Sequence, residues 1–123
     1  MAKKILIADD EATVRDLIKL SLEHEGYEIF EARNGVEALN KAKELVPDLL
    51  ILDVMMPGKI GYQVCSELKS DPATKRISII FITARDSSLS METVQESGGD
   101  DLISKPFKPQ ELKARIRKVL QAG

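Results

Sequence analysis

Asp48-Leu49-Leu50-Ile51-Leu52-Asp53 decides the fold. Four large aliphatic residues in an unbroken row leave no polar face, so the stretch reads as a strand buried on both sides. Three more runs have the same form. Lys4-Ile5-Leu6-Ile7-Ala8 ends in Asp9-Asp10, Ile79-Ile80-Phe81-Ile82 ends in Thr83, and Asp101-Leu102-Ile103-Ser104 ends in Lys105. Each run delivers a polar group at its C-terminal end, the edge at which open parallel sheets bind ligands. Residues far apart in sequence are therefore expected to meet: three carboxylates, a hydroxyl and an ammonium.

Helical patterns fill the gaps. Val14, Leu17, Ile18 and Leu22 have helical spacing and stop at Gly26. Tyr27-Glu28-Ile29-Phe30-Glu31-Ala32 mixes apolar and acidic residues, as a short and more exposed strand would. Asn34-Gly35 signals a turn. Ala38, Leu39, Ala42 and Leu45 mark a second helix closed by Pro47; Val64, Cys65 and Leu68 mark a third, broken at Ser70-Asp71-Pro72. The stretch 87–97 should be a fourth helix, but only Leu89, Met91 and Val94 form its stripe, so a marginal element is expected. Leu112, Ile116, Val119 and Leu120 define the last. Regular strand–helix alternation with short connections predicts an α/β domain over residues 1–123: a doubly wound parallel sheet with helices on both faces.

Composition narrows the function. Apolar residues make up 43% and charged residues 31%, ordinary for a globular protein of 123 residues. A net charge of −2 argues against bulk nucleic-acid affinity. No run approaches the roughly 18–20 apolar residues that span a bilayer, and the N-terminus lacks a secretory pattern. The single cysteine suits a reducing compartment. A cytoplasmic protein without membrane contact is expected.

Three carboxylates packed together repel one another unless a cation intervenes. A hard divalent ion such as Mg²⁺ is the natural partner, and Mn²⁺ is a possible substitute. Lys105 offers a fixed positive charge to a phosphate, and Thr83 a hydroxyl to a phosphoryl oxygen. A carboxylate can itself attack phosphorus. Asp53, alone at the end of a central strand, is the favoured nucleophile, with Asp9 and Asp10 serving the metal. Singly, each residue also has an ordinary reading: a turn, a helix cap, a strand threonine or a solvated lysine.

The motifs Ile7-Ala8-Asp9-Asp10-Glu11, Leu52-Asp53-Val54-Met55-Met56-Pro57, Ile82-Thr83-Ala84 and Lys105-Pro106-Phe107 each follow their expected strand. In this the chain resembles the receiver domain of bacterial response regulators, over essentially its whole length. The resemblance implies a CheY-like (βα)5 three-layer sandwich of the flavodoxin-like type with strand order 2-1-3-4-5. It implies a phosphorylation-dependent switch in a two-component phosphorelay, with Asp53 accepting a phosphoryl group from a histidine kinase or a histidine phosphotransfer protein. Asp10, Asp53 and the Met55 carbonyl would bind Mg²⁺, Asp9 would act mainly through water, and Thr83 and Lys105 would contact the phosphoryl group. The Lys105–Pro106 bond would be cis. Such a domain catalyses its own phosphorylation and slow dephosphorylation, without a separate turnover substrate. Its output would be a population shift of the face formed by the fourth helix, fifth strand and fifth helix, toward a downstream protein or an output domain absent from this chain.

The chain departs from the family pattern in places. Leu102 stands where Tyr or Phe is usual, so the aromatic reporter is missing; Gly99 replaces an alanine, which should loosen the approach to the fifth strand; Lys59 and Ile60 occupy places after Pro57 where a methionine and an acidic or small polar residue are common. Asp100, Asp101, Glu111 and Arg115 match charges of a dimer interface whose basic partners fall at Met91 and Ala122, so a monomer is favoured. His24 is expected to cap the first helix, Cys65 to be buried, and Tyr62 to pack. A phosphatase-like turnover enzyme would need a second acid where Met55 stands, and a nucleotide or flavin binder would need a glycine-rich loop after the first strand.

Overall fold

The computed structural model describes residues 2–56, 58, 60–84 and 91–122, with Ala122 described by its backbone alone. Ten elements follow in alternation: β1 (Lys4–Ala8), α1 (Ala12–Ser21), β2 (Glu28–Ala32), α2 (Gly35–Leu45), β3 (Leu49–Asp53), α3 (Gly61–Lys69), β4 (Ser78–Ala84), α4 (Met91–Glu96), β5 (Asp101–Lys105) and α5 (Pro109–Ala122). The five strands form one parallel sheet in the order β2-β1-β3-β4-β5. The Lys105–Pro106 bond is cis.

Period-two alternation divides the core. Leu6, Ala8, Leu50, Leu52, Ile79 and Phe81 pack against α2, α3 and Val94 of α4. Ile5, Ile7, Leu49, Ile51, Ile80 and Ile82 point the other way, onto α1 and α5. Every residue of β3 is buried, which accounts for its unbroken aliphatic run. β2 is an edge strand, so its acidic residues keep partial exposure. Asn34 does more than turn the chain: its side-chain oxygen accepts the Glu37 N–H at 2.8 Å and caps α2.

Three expectations change or sharpen. α4 buries a single side chain, Val94, in keeping with its thin stripe; its expected beginning, with Leu89, lies outside the described residues, as does Lys59. His24 lies beyond the C-terminal end of α1, exposed and at φ 69°, so it ends the helix through backbone conformation and not as a side-chain cap. Gly99 does not loosen its surroundings. A Cβ there would sit 2.7 Å from Phe81 Cε2 and 2.8 Å from Val94 Cγ1, because the Phe81 ring fills the space. Tyr62 packs on the same ring, with centroids 5.4 Å apart.

Gly99→Ala should therefore destabilise the protein by about 1–3 kcal/mol through overpacking. Combining it with Phe81→Leu should cost less than the sum of the two single changes. Urea unfolding of the four chains checks this, and strict additivity would contradict the contact.

Candidate functional site

The pleat selects which groups meet. Ile7, Ile51 and Ile103 face α1 and α5, and two residues farther along each strand direction stand Asp9, Asp53 and Lys105. Thr83 has the opposite parity, that of Phe81, and so stands on the α2–α3–α4 side of β4. The sheet order reverses between β1 and β3, with β2 on one side and β4 on the other. A crevice forms outside the strand ends at such a reversal, and Asp9 and Asp53 flank it.

Lys105 Nζ lies 3.0 Å from Asp9 Oδ2, 3.3 Å from Asp53 Oδ2 and 3.7 Å from Glu11 Oε1. Asp9 is fully buried and Asp53 nearly so, whereas Asp10 is exposed. Asp9 Oδ1 accepts the Glu11 N–H at 2.9 Å. Its Oδ2, however, has no hydrogen-bond partner of proper geometry: the Lys105 ammonium is near enough for an ion pair but is not aligned for a bond. It is the one such buried side-chain atom among the described residues.

The loop after β3 is held close. Met55 N–H donates to Asp53 Oδ1 at 3.2 Å, and Gly61 N–H to the Val54 carbonyl at 2.8 Å. A Cβ on Gly61 would lie 2.7 Å from the Asp53 carbonyl oxygen, so only glycine lets α3 start this near the end of β3. On the other flank, Arg15 Nη1 donates to the Asp9 carbonyl at 2.7 Å, and its Nε to Glu31 Oε1 at 3.0 Å. Burial works against the Glu31 carboxylate, but bonds from Lys19 and Arg15 hold it below its ordinary pKa.

Electrostatics follows from this crowding. Burial, then the charge of Asp9, pushes the Asp53 carboxyl up to about 6, against the opposing pull of Lys105 and the Met55 N–H. Burial also opposes the Lys105 ammonium, yet the adjacent Asp9 and Asp53 carboxylates keep it above its usual range.

The donor set fits a hard divalent cation. One oxygen from each of Asp9, Asp10 and Asp53 lies within 4.8 Å of the others. Oxygen-only ligands suit Mg²⁺, and Asp9 Oδ2, ion-paired to Lys105 but without an aligned hydrogen bond, keeps lone pairs for a cation.

The model of the response regulator receiver domain matches residues 5–117. The chain belongs to that family. It is 40% identical to the alkaline phosphatase synthesis transcriptional regulatory protein PhoP of Bacillus subtilis (strain 168) over 98% of its own length and 50% of the relative's. The chain thus spans about half the length of the curated relatives it matches. Among solved structures, a response regulator from Chloroflexus aurantiacus J-10-fl superposes with a TM-score of 0.92 at 37% identity, covering 98% of this chain and 99% of that one. The receiver domain of sensor histidine kinase PA1611 from Pseudomonas aeruginosa PAO1, solved with a magnesium ion coordinated in its active-site cleft, gives 0.88 at 25% identity, covering 98% and 99%. This chain is a receiver domain of the two-component response regulator class, and its strand order is the CheY-like one.

Of the residues expected to meet, Asp9 and Asp53 each contact Lys105, and Asp10 joins the acidic cluster. Thr83 is buried near the end of β4. Met55 touches Asp53 through its backbone N–H, while its side chain is exposed. Arg15 and Gly61 were not anticipated. Arg15 stands three residues before Ile18 and seven before Leu22, on the buried face of the helical pattern, and a charge at that spacing is the signal that could have found the first.

The raised Asp53 pKa means that the fold favours the protonated carboxyl. Its contribution is stabilising at acid pH and is lost as pH rises from the ordinary carboxylate value through about 6. Without divalent ions, Asp53→Asn should therefore be more stable than the parent at pH 7, by about 1–3 kcal/mol, and this difference should vanish near pH 4. Urea unfolding in a chelator at both pH values measures it; a less stable variant at pH 7 would contradict the penalty that burial and Asp9 place on the Asp53 charge.

Proposed function

We propose that residues 1–123 act as one phosphorylation-dependent signalling switch of a two-component phosphorelay, with Asp53 as phosphoacceptor. The observation that carries this is the convergence of Asp53 with Asp9, Asp10 and Lys105 at the sheet's reversal point. The donor is a phosphohistidine of a sensor histidine kinase or of a histidine phosphotransfer protein. An Asp53 carboxylate oxygen attacks phosphorus, the new O–P bond forms as the N–P bond breaks, and the imidazole leaves with the electron pair.

Asp53 has the properties this step needs. Its oxygen is positioned by the Met55 N–H. With a pKa of about 6 it is mostly ionised at neutral pH, yet more basic than an ordinary aspartate. Lys105 is already drawn to Asp53 and would follow the charge to a phosphoryl oxygen. Thr83, one residue beyond the registered partner Ile82, would donate its hydroxyl to another. Asp10, Asp53 and the Met55 carbonyl would hold Mg²⁺, or Mn²⁺ in its place, with Asp9 acting mainly through water. The ion would supply neutralising charge to the phosphoryl oxygens.

The output is a population shift of the α4–β5–α5 face, read by a downstream protein or by an output domain beyond this chain. The domain catalyses its own phosphorylation and slow dephosphorylation and has no separate turnover substrate. Monomers are favoured before phosphorylation. Asp101, a charge matching the dimer interface, is engaged within the chain by Arg115 at 2.7 Å, which supports this. The cytoplasm is the proposed location, direct nucleic-acid contact is not expected of this chain, and no described helix is long and apolar enough to cross a membrane.

Incubation with a small acyl phosphate and Mg²⁺ should add one labile phosphoryl group by intact mass. Asp53→Asn should add none. An adduct that persists in the variant, or none in the parent, would overturn the assignment.

A further inference from the structure

One cation beside the acidic cluster has no part in the phosphoryl chemistry above. β1 leaves the ladder after Ala8, the last residue registered with both Ala32 and Leu52. The Asp9 N–H still reaches the Ala32 carbonyl at 3.2 Å. The Asp9 carbonyl oxygen has passed the last registered pair and accepts from Arg15 Nη1 at 2.7 Å instead. Arg15 is itself clamped: its Nε donates to Glu31 Oε1, whose other oxygen is held by Lys19 Nζ, both at 3.0 Å. The side chain is 12% exposed, so water competes little for these bonds.

The geometry gives this clamp a consequence. The Asp9 side chain is fixed by the Glu11 N–H and by burial, and its N–H by β2. The remaining freedom is rotation of the Asp9–Asp10 peptide plane, which the direction of the Asp9 carbonyl defines. That plane sets where Asp10 starts and hence where its carboxylate stands. A guanidinium bonded at two nitrogens in a rigid fork fixes such a direction, which an ammonium on a flexible stem does not.

We propose that Arg15 is a positioning residue for the divalent-cation site, holding the Asp9–Asp10 peptide plane so that the Asp10 carboxylate stays within reach of those of Asp9 and Asp53. The inference rests on the reading of these carboxylates as a cation site. Charge alone predicts the opposite behaviour: removing a cation beside an acidic cluster should tighten binding of a dication.

The test is calorimetric titration of the full chain with Mg²⁺ at fixed ionic strength, beside thermal unfolding in a chelator. The parent should bind one ion. Arg15→Lys and Arg15→Gln should each bind more weakly by about ten-fold or more, as loss of a supporting residue does at metal sites. Arg33→Gln, which removes an equal but 73% exposed charge, should bind as the parent does or more tightly. Folded Arg15→Lys that loses less than about ten-fold in affinity, or folded Arg15→Gln binding more tightly, overturns the inference while the cation site stands. Should Arg15→Gln fail to fold, Arg15→Lys decides. A parent that binds no Mg²⁺ overturns the cation site and the inference together.

Discussion

Like-charge crowding at the carboxyl edge of β1 and β3 is the constraint on which the rest of the structure turns. Asp9 and Asp53 are placed by strands whose preceding residues are wholly buried, so neither can withdraw without exposing core. With carboxylate oxygens within 4.8 Å, the buried Asp9 and Asp53 would repel by roughly 3–4 kcal/mol at an effective dielectric of about 20 if both were ionised. Lys105 offsets part of this, carried in on β5 from the far side of β4. Burial and, after it, what is left of this repulsion raise the Asp53 pKa, and Asp9 Oδ2, though ion-paired to Lys105, has no aligned hydrogen bond. Both are relieved by added positive charge or by a partner group. The fold thus keeps a site under strain that a cation and a phosphoryl group are suited to relax.

Much of this was legible in the sequence because it depends on local pattern. Unbroken aliphatic runs mark strands buried on both faces, and the polar residue ending each run falls on one sheet edge whatever the helices do. The strand order makes that edge a single crevice, and the motifs that carried the resemblance sit at its rim. The separation within the site came only with the structure: Asp9, Asp53 and Lys105 share a parity that Thr83 does not.

The illegible parts depend on contacts between distant residues. Gly99 looked like a loosening substitution because its neighbour in space, Phe81, lies eighteen positions away across a strand pair. His24 looked like a cap because sequence does not display a left-handed φ. Arg15 was hidden because its acceptor is a backbone carbonyl and its anchor, Glu31, lies on the edge strand. The Phe81 contacts also bear on Leu102. Leu102 is registered with Phe81 and packs on the same core, where Tyr62, Val94 and Gly99 close around the ring. The aromatic ring of this part of the core is thus supplied by Phe81 of β4, two residues before Thr83, beside a leucine on β5.

The most direct measurement of the central claim identifies the phosphorylated atom's residue. Protein treated with an acyl phosphate and Mg²⁺ is reduced with borohydride, which converts an aspartyl phosphate to homoserine, and the digested peptides are sequenced by mass. The account predicts homoserine at position 53 and nowhere else. Homoserine at position 9 or 10, or a phosphoryl group that resists reduction because it sits on a hydroxyl or on His24, would contradict it.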